Sequence, residues 1–421
     1  MAAAVLVVAL VRAFGACSGD HDPGSDSAEG GSGRTATSTT TIPPMSESEL
    51  GGLLRAADVA TTAHDWAAAR RALDAAAVSY PRDRDVTRRA HAVDVFEQQA
   101  SDAVPTEERP RHAFFHSLVI DPAKAFDHDG DSAGYQEWMT TRDAFARILD
   151  SLLERGWMLI DIEDLFDVDA AGTPTPAVLK LPPGRKPLVI SIDDVNYYPY
   201  MEDDGFPLRL GVDDRGVGGT VMRQLDGSEA VTRDGDVMPL LDEFILDHPE
   251  FSYQGARGLM AVTGYAGALG YRTNDLARAD HAQLVATAAA VAARYRDSGW
   301  RFASHSYTHS QRFKDASISL AQLRSDIARW KAEVEPITGP VNVFVGPFGF
   351  RVPHGDPRAA ELAQAGFEVL CPVSSFDYLR FQGPLMVMDR INFDGLEMRV
   401  NAKYLVPFFD PAKVRDAARD R

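Results

Sequence analysis

The sequence predicts an α/β protein in which short strands alternate with helices and form a mostly parallel sheet or a barrel. From residue 111 onward, apolar runs of strand length alternate with amphipathic runs of helix length. Three apolar runs, at residues 188–192, 301–304 and 341–345, lead directly into polar or turn-forming residues. Because chemistry in such folds gathers where strands end, these three ends are the first candidates for a functional site.

The predicted elements follow one another along the main part of the chain. Strands are expected at residues 113–120, 158–162, 187–192, 258–262, 301–303, 341–345, 367–370 and 385–388. Helices are expected at residues 141–153, 280–298, 320–333 and 357–365. This order is typical of repeated βα units.

Length and composition are those of a globular protein. The 421 residues leave room for one large domain or two ordinary ones, and 45% apolar residues can form a sizeable core. The formal net charge of −18 argues against nucleic acid as a partner, because phosphate binding needs clustered Lys and Arg. The two cysteines, Cys17 and Cys371, can form neither a disulfide framework nor a four-cysteine zinc site.

The N-terminus is typical of an exported protein. Residues 2–11 form an apolar run of signal-peptide length, and residues 14–17 (Phe-Gly-Ala-Cys) resemble the lipobox of bacterial lipoproteins. We therefore predict export to the cell envelope, with residues 1–17 as signal peptide and a lipid anchor on Cys17. A simple cleaved signal or an uncleaved anchor is the alternative. Residues 18–45, rich in Gly, Ser, Thr and Asp, predict a disordered tether.

Residues 46–104 predict a small helical segment in front of the main domain, which is expected to span residues 105–415. Apolar side chains recur at helical spacing in three stretches. The segment resembles one tetratricopeptide-like hairpin with a capping helix. One such unit buries little by itself, so it should pack on the main domain or act as a spacer; binding of a protein partner stays open.

Two adjacent carboxylates, Asp193 and Asp194, follow the predicted strand at residues 187–192. If Asp194 coordinates a metal ion, Asp193 stays free beside it, and the cation relieves their mutual repulsion and makes a bound water acidic. By themselves, two Asp residues after a strand are more simply a turn or a helix N-cap.

A histidine pair at the next strand end makes a metal site the better interpretation. His305 and His309 are four residues apart, so their imidazoles can face the same point, and the chain has only 11 His. One carboxylate and two imidazoles suit a catalytic metal site, because they leave positions open for water and substrate.

Short motifs at the strand ends resemble those of a known family. Residues 191–194 (Ser-Ile-Asp-Asp) and 304–309 (Ser-His-Ser-Tyr-Thr-His) resemble the Thr-Phe-Asp-Asp and His-Ser/Thr-x-x-His motifs of polysaccharide deacetylases, the NodB-like carbohydrate esterase family 4. Residues 347–349 (Pro-Phe-Gly) and 374–378 (Ser-Ser-Phe-Asp-Tyr) resemble its third and fourth motifs, and residues 115–117 (Phe-His-Ser) a strand of the exopolysaccharide-type members. The resemblance implies a distorted (β/α) barrel of about seven strands.

The resemblance also implies a metal-dependent hydrolysis of N-acetyl groups. Asp194, His305 and His309 would hold a divalent metal, with Zn²⁺ as the expected ion, which polarises the acetyl carbonyl and a water molecule. Asp193 would take a proton from that water as general base. The backbone around Phe348 would help to stabilise the developing oxyanion.

Part of the family's site is replaced in this chain. Val345 stands where the family has an Arg that orients the base, and residues 385–390 contain no counterpart of the family's His that acts as general acid. Arg390 is a candidate for the missing guanidinium, from a different strand. The general acid would be either His116 or Asp377 acting with Arg390.

Substrate contacts are expected from the loops around these strand ends. The long connection at residues 196–254 is a candidate lid or cleft. Tyr197, Tyr198 and Trp300 could stack on sugar rings, with packing in the core or at the rim as the alternative for Trp300. The residues predicted to bind substrate are Asn196, Tyr197, Tyr265, Pro347, Phe348 and Gly349.

The sequence therefore predicts a zinc-dependent deacetylase acting on an acetylated envelope glycan, either peptidoglycan or exopolysaccharide. Two alternatives from other classes stay open. One is a glycan-binding envelope lipoprotein that has lost turnover, which the replaced Arg and His would favour. The other is a metal hydrolase acting on a different amide or ester. The presence of Asp193 favours an enzyme, because a binding protein needs no general base.

Overall fold

The structure, a computed structural model, describes residues 48–374 and 379–420. The predicted signal peptide, lipobox and tether, and Asp377 in the fourth motif, lie outside the described residues. Residues 47–421 form one compact unit. In the part of the chain that is described, no helix combines the length and the apolarity that crossing a membrane requires.

Helices and strands alternate through most of the chain. The α-helices are α1 (Glu49–Thr62), α2 (Trp66–Ser79), α3 (Arg84–Asp102), α4 (Pro122–Ala125), α5 (Ser132–Trp138), α6 (Arg142–Glu154), α7 (Val237–Asp247), α8 (His281–Asp297), α9 (Gln311–Lys314), α10 (Leu320–Glu333), α11 (Glu335–Thr338), α12 (Pro357–Gln364), α13 (Gly395–Val400), α14 (Ala402–Leu405) and α15 (Pro411–Val414). The strands are β1 (Val104–Pro105), β2 (Arg111–Phe115), β3 (Trp157–Leu159), β4 (Phe166–Val168), β5 (Pro174–Pro176), β6 (Lys180–Leu181), β7 (Lys186–Ile192), β8 (Arg209–Val212), β9 (Gly218–Arg223), β10 (Glu229–Thr232), β11 (Leu259–Val262), β12 (Arg301–Ser304), β13 (Val343–Val345), β14 (Val369–Cys371), β15 (Leu379–Gln382), β16 (Leu385–Met388) and β17 (Ile391–Asn392).

The main sheet is mostly parallel and curled. Its strand order is β15-β16-β14-β13-β12-β11-β7-β2-β17, with β3 paired to β7, and β15–β16 is its antiparallel pair. Only Asp389 and Arg390 separate β16, near one end of this order, from β17 at the other end. The two edges of the sheet therefore lie next to each other. The chain is a mixed α/β protein with a curled sheet, as the alternation of elements predicted.

Successive side chains of the strands face opposite sides of the sheet. In β13, Val343 and Val345 belong to a cluster to which β7, β11, β12, β14 and β16 also contribute, so this cluster fills the concave side. Phe344, between them, packs instead with Leu323 of α10 and Leu362 of α12. Full burial of such a side chain stabilises the fold by about 1.5–3 kcal/mol, so both faces hold the strand ends in place.

The N-terminal helices α1–α3 pack on the main domain, one of the two arrangements predicted for them. The guanidinium of Arg88 in α3 forms a 2.6 Å ion pair with Glu243 of α7. The side-chain amide of Gln99 donates to the carbonyl of Pro249 at 3.1 Å, and both groups are buried. The resemblance of these helices to a tetratricopeptide hairpin stays a prediction.

The long connection at residues 196–254 is largely structured rather than an open lid. It contains the antiparallel sheet β10-β9-β8 and helix α7. Arg215, in the turn between β8 and β9, forms a 2.7 Å ion pair with Asp83, the N-cap of α3. Part of the connection therefore contacts the N-terminal helices, whereas its first residues and Asp236 lie beside the strand ends.

A buried carboxyl group makes the fold sensitive to pH. Asp394 is 1% exposed and accepts the N–H of Glu397 at 2.7 Å as N-cap of α13. Burial raises the pKa of Asp394 to about 7, whereas an Asp in the unfolded chain has a pKa of about 3.9. Asp394 therefore stays protonated to a higher pH in the folded state than in the unfolded chain. Its contribution to the free energy of unfolding is complete below about pH 4 and is lost as the pH rises through 7.

We expect the free energy of unfolding to fall between pH 5 and pH 8 by on the order of 2 kcal/mol more in the wild-type protein than in Asp394→Asn, whose side chain does not titrate. Urea unfolding of both proteins at the two pH values measures this difference. An equal pH dependence in the two proteins would contradict the prediction.

Candidate metal centre

The predicted motif residues follow strands that end at the same level of the sheet. Ser304, the last residue of β12, is paired with Val262 of β11 and with Phe344 of β13. Phe115, the last residue of β2, is paired with Ile192 of β7. The residues that follow β2, β7, β12 and β13 therefore meet at one edge of the curled sheet, as expected for parallel strands.

Asp194, His305 and His309 come together there. One carboxylate oxygen and one ring nitrogen from each histidine lie within 4.8 Å of one another. The Nδ1 of His305 donates to the carbonyl of Val345 at 2.9 Å, because a carbonyl can only accept, and this leaves Nε2 available as a metal ligand. A carboxylate and two imidazoles are ligands that Zn²⁺ takes in catalytic sites, so the residues fit the predicted metal.

The electrostatics of the three residues suit a cation. Burial lowers the pKa of His305 despite the nearby carboxylates of Asp193 and Asp194, so its ring is held in the neutral form that binds metals. Burial alone would raise the pKa of Asp194, but His309 and His305 lower it below its ordinary value. Asp194 is therefore available as an anionic ligand.

The turns that carry these ligands have backbone conformations that are costly for residues other than glycine. Asp194, Ser306 and His309 have φ values of 56°, 61° and 45°. Such conformations persist only where neighbouring contacts hold them, and they cluster at functional sites. In the second turn, the hydroxyl of Ser306 accepts the N–H of His309 at 2.9 Å, and the carboxylate of Asp326 accepts two further backbone N–H groups at 2.7 and 2.9 Å.

Asp193 is held by Arg390 beside the three predicted ligands. Nη1 and Nη2 of Arg390 donate to the two carboxylate oxygens at 2.6 and 3.0 Å, and the two residues are 3% and 0% exposed. The ring of Phe114 lies 4.2 Å from the guanidinium carbon. Burial alone would raise the pKa of Asp193, but Arg390 and then His305 hold it well below the usual range. Arg390 thus supplies a guanidinium to Asp193, and its role in place of the family's Arg stays a prediction.

His116 lies near both carboxylates. It follows β2 directly and is half-buried, and its positive form would lower the pKa of Asp193 and of Asp194. Its Nδ1 is buried and has no hydrogen-bond partner among the described residues. His116 is therefore a candidate general acid, whereas Asp377, the other candidate, lies outside the described residues.

Four residues expected at the substrate surface, Asn196, Tyr197, Tyr198 and Trp300, are instead buried. Asn196 is 0% exposed, and its amide bonds the backbone N–H and carbonyl of Thr263 at 3.0 and 2.9 Å and the carbonyl of Gly267. Tyr197 is 1% exposed, with its hydroxyl on Asp236, and Trp300 is likewise 1% exposed. The turn after Asp194 directs the side chains of Asn196 and Tyr197 into the interior, so the structure does not place them at the predicted substrate surface.

Two of the remaining predicted substrate residues, Tyr265 and Phe348, lie at the rim of the site. Tyr265 and Phe348 are 42% and 40% exposed. The ring of Phe348 is 4.3 Å from that of His309, between centroids, and its backbone has a φ of 53°. Pro347 is buried, and Gly349 has a φ of 75°, so both shape the turn that presents Phe348.

Two residues that support the site were not predicted from sequence. His112 is buried and its Nε2 lies 2.9 Å from the hydroxyl of Ser191, which also contacts Arg390. Asp236 accepts the N–H of Leu118 at 2.9 Å and the hydroxyl of Tyr197 at 2.7 Å, and so joins the loops after β2 and β7. His112 looked like an ordinary strand residue, and Asp236 is more than 40 residues from either motif.

Comparison with known proteins finds similar solved structures. No protein-family model matches the chain, and no curated protein matches it. The chain is similar to IcaB from Ammonifex degensii, with 14% identity and a TM-score of 0.34 over 63% of this chain and 84% of that one. It is also similar to a de-N-acetylase from Aggregatibacter actinomycetemcomitans, with 13% identity and a TM-score of 0.41 over 72% of this chain and 100% of that one. At this level of similarity, the reaction of this chain is inferred from its own side chains.

Proposed function

We propose that this protein is a metal-dependent hydrolase that removes N-acetyl groups from a cell-envelope polysaccharide. The observation that carries the proposal is the convergence of Asp194, His305 and His309 next to a carboxylate, Asp193, that is clamped by Arg390. The curled sheet is then the distorted (β/α) barrel that the motifs imply. The motifs point to the same reaction as the geometry.

Each residue of the site has a role in this reaction. Asp194, His305 and His309 would hold a divalent ion, expected to be Zn²⁺, which when bound acidifies water and polarises the acetyl carbonyl. Asp193 takes the proton from the attacking water; Arg390 keeps its carboxylate ionised and fixes its direction. His116 delivers a proton to the departing sugar amine, which leaves with acetate as the second product.

The rim of the site suits a glycan. Tyr265 and Phe348 offer half-exposed aromatic rings on which the apolar faces of sugars can stack. An enzyme acting on envelope glycan must be exported, which agrees with the predicted signal peptide. The lipid anchor on Cys17 would keep the enzyme at the membrane, with residues 18–45 as a tether.

The full chain, loaded with Zn²⁺, should release acetate from N-acetylglucosamine oligomers, from peptidoglycan or from an acetylated exopolysaccharide. Removal of the metal with a chelator should abolish the release, and added Zn²⁺ should restore it, because the site supplies the ligands for one ion. An O-acetylated glycan without N-acetyl groups tests whether the site hydrolyses an ester bond instead of an amide bond.

Acetate release from the O-acetylated glycan alone would assign the site to ester hydrolysis. Bound zinc without acetate from any of these substrates would contradict the deacetylase and favour a glycan-binding protein. Acetate release that is unaffected by the chelator would contradict the role of the metal.

A further inference from the structure

The hydroxyl of one buried tyrosine touches a predicted metal ligand directly. Tyr198 is 5% exposed, and its hydroxyl lies 2.6 Å from Oδ1 of Asp194. An ionised carboxylate can only accept a hydrogen bond, so the phenol donates its proton to Asp194. The hydroxyl of Thr263 lies 3.2 Å from the same phenol oxygen and then donates to it. The bonds form a directed chain from Thr263 through Tyr198 to Asp194.

The ring of Tyr198 is fixed by a stack of tyrosines. It lies between the ring of Tyr265, at 5.3 Å and 21°, and the ring of Tyr200, at 5.6 Å and 12°. The ring of Tyr135 continues the stack beyond Tyr200, at 6.5 Å and 15°. A tyrosine stacked against two neighbouring rings has few rotamers available, so its hydroxyl stays beside Asp194.

The backbone of Asp194 explains why such a donor is needed. Its φ of 56° puts the residue in the left-handed region, where the direction of the side chain depends on contacts with the surroundings. Outer contacts of this kind orient metal ligands and raise metal affinity, and their loss typically weakens metal binding by about 10–100-fold. Asp194 takes this contact from Tyr198, as His305 takes its own from the carbonyl of Val345.

We infer that Tyr198 is a positioning residue of the metal centre: its hydroxyl, held by the tyrosine stack and by Thr263, orients the carboxylate of Asp194 for metal binding. The inference rests on the metal site of the proposed function, but not on the substrate or the reaction. Tyr198 itself is buried, so stacking on a sugar is not its role.

The test compares Tyr198→Phe with Tyr135→Phe in the full chain. Both variants keep four aromatic rings in the stack and lose one hydroxyl, which in Tyr135 contacts Asp204 at 3.0 Å rather than Asp194, His305 or His309. Zinc affinity is measured by competition with a coloured chelator. The visible absorption of the Co²⁺-loaded protein reports the geometry of the ligands, and urea unfolding of the metal-free proteins reports stability.

We expect the dissociation constant for Zn²⁺ to rise about 10–100-fold in Tyr198→Phe, with a changed Co²⁺ spectrum. Tyr135→Phe should bind Zn²⁺ as the wild type does, with an unchanged spectrum, even if its stability falls. Thr263→Val is a second variant that leaves the phenol on Asp194, and its affinity should fall less than that of Tyr198→Phe.

Wild-type affinity and an unchanged spectrum in Tyr198→Phe would overturn the inference. Equal losses of affinity in Tyr198→Phe and Tyr135→Phe would also overturn it, because a general effect on the stack would then be responsible. If the wild type binds zinc but releases no acetate, the proposed reaction fails while the role of Tyr198 is still decided by these affinities.

Discussion

Replacement of Asp193 by Asn is expected to reduce the rate of acetate release by about 100- to 10,000-fold, the usual contribution of a general base. Zinc binding should persist, because Asp194, His305 and His309 are unchanged. The amide has nearly the same shape as the carboxylate but cannot accept a proton from water. The rate constant kcat and the zinc content of the same preparation measure the two effects.

Asp242→Asn is a matched control for this substitution. Asp242, which is only 15% exposed, is also a carboxylate paired with an arginine, since it accepts from Arg257 at 2.6 Å and also bonds Trp300. Arg257 and Trp300 precede β11 and β12, at the opposite end of the strands from the metal centre. Asp242→Asn should lower stability and leave kcat unchanged. A similar fall of kcat in both variants would show that Asp193 acts through the fold rather than as a base.

Replacement of Arg390 by Met is expected to have the largest combined effect on stability and activity. The change leaves the buried carboxylate of Asp193 without its two-pronged partner, and loss of one member of a buried ion pair costs about 3–5 kcal/mol. The rate of acetate release should also fall, because Asp193 loses the contact that orients it as the general base. Arg390→Lys should be intermediate, because an ammonium keeps the charge but cannot bond both oxygens in parallel. Urea unfolding and kcat measure both effects.

Arg380→Met provides the contrast for Arg390→Met. Arg380 is 32% exposed and lies 3.1 Å from Asp389, which keeps a second partner, Arg351, at 2.9 Å. We expect its loss to cost no more than about 1 kcal/mol, as is usual for partly exposed pairs. Equal losses of unfolding free energy in Arg390→Met and Arg380→Met would contradict a special role of Arg390 in holding Asp193.

Much of the fold could be predicted because the strands are short apolar runs with sharp boundaries. Helix α10 begins and ends at the predicted residues 320 and 333. Its start is marked by a capping box formed by Ser319 and Gln322. Strand β7 differs by one residue from the predicted 187–192. Strand β2, in contrast, ends at Phe115 rather than near residue 120, because the chain turns away after His116 to form the site.

The convergence of Asp194, His305 and His309 could be predicted because their spacing and their place after strands are local properties. The direction of neighbouring side chains is not local. Asn196 and Tyr197 follow the motif directly, yet positive φ values at Asp194 and Tyr197 turn their side chains towards Thr263 and Asp236, which are distant in sequence. The inferred role of Tyr198 likewise depends on contacts that the sequence does not reveal. The pairing of Arg390 with the general base could be proposed because Arg390 follows a predicted strand.

The coordination of zinc in the full chain tests the metal centre most directly. We expect metal analysis to give one zinc per chain and X-ray absorption to show two imidazole nitrogens at about 2.0–2.1 Å, together with oxygen ligands. His305→Ala and His309→Ala should each lose the ion or one nitrogen from this shell. A wild-type protein that retains no zinc, or a spectrum that is unchanged in both histidine variants, would contradict the metal centre and with it the proposed deacetylase.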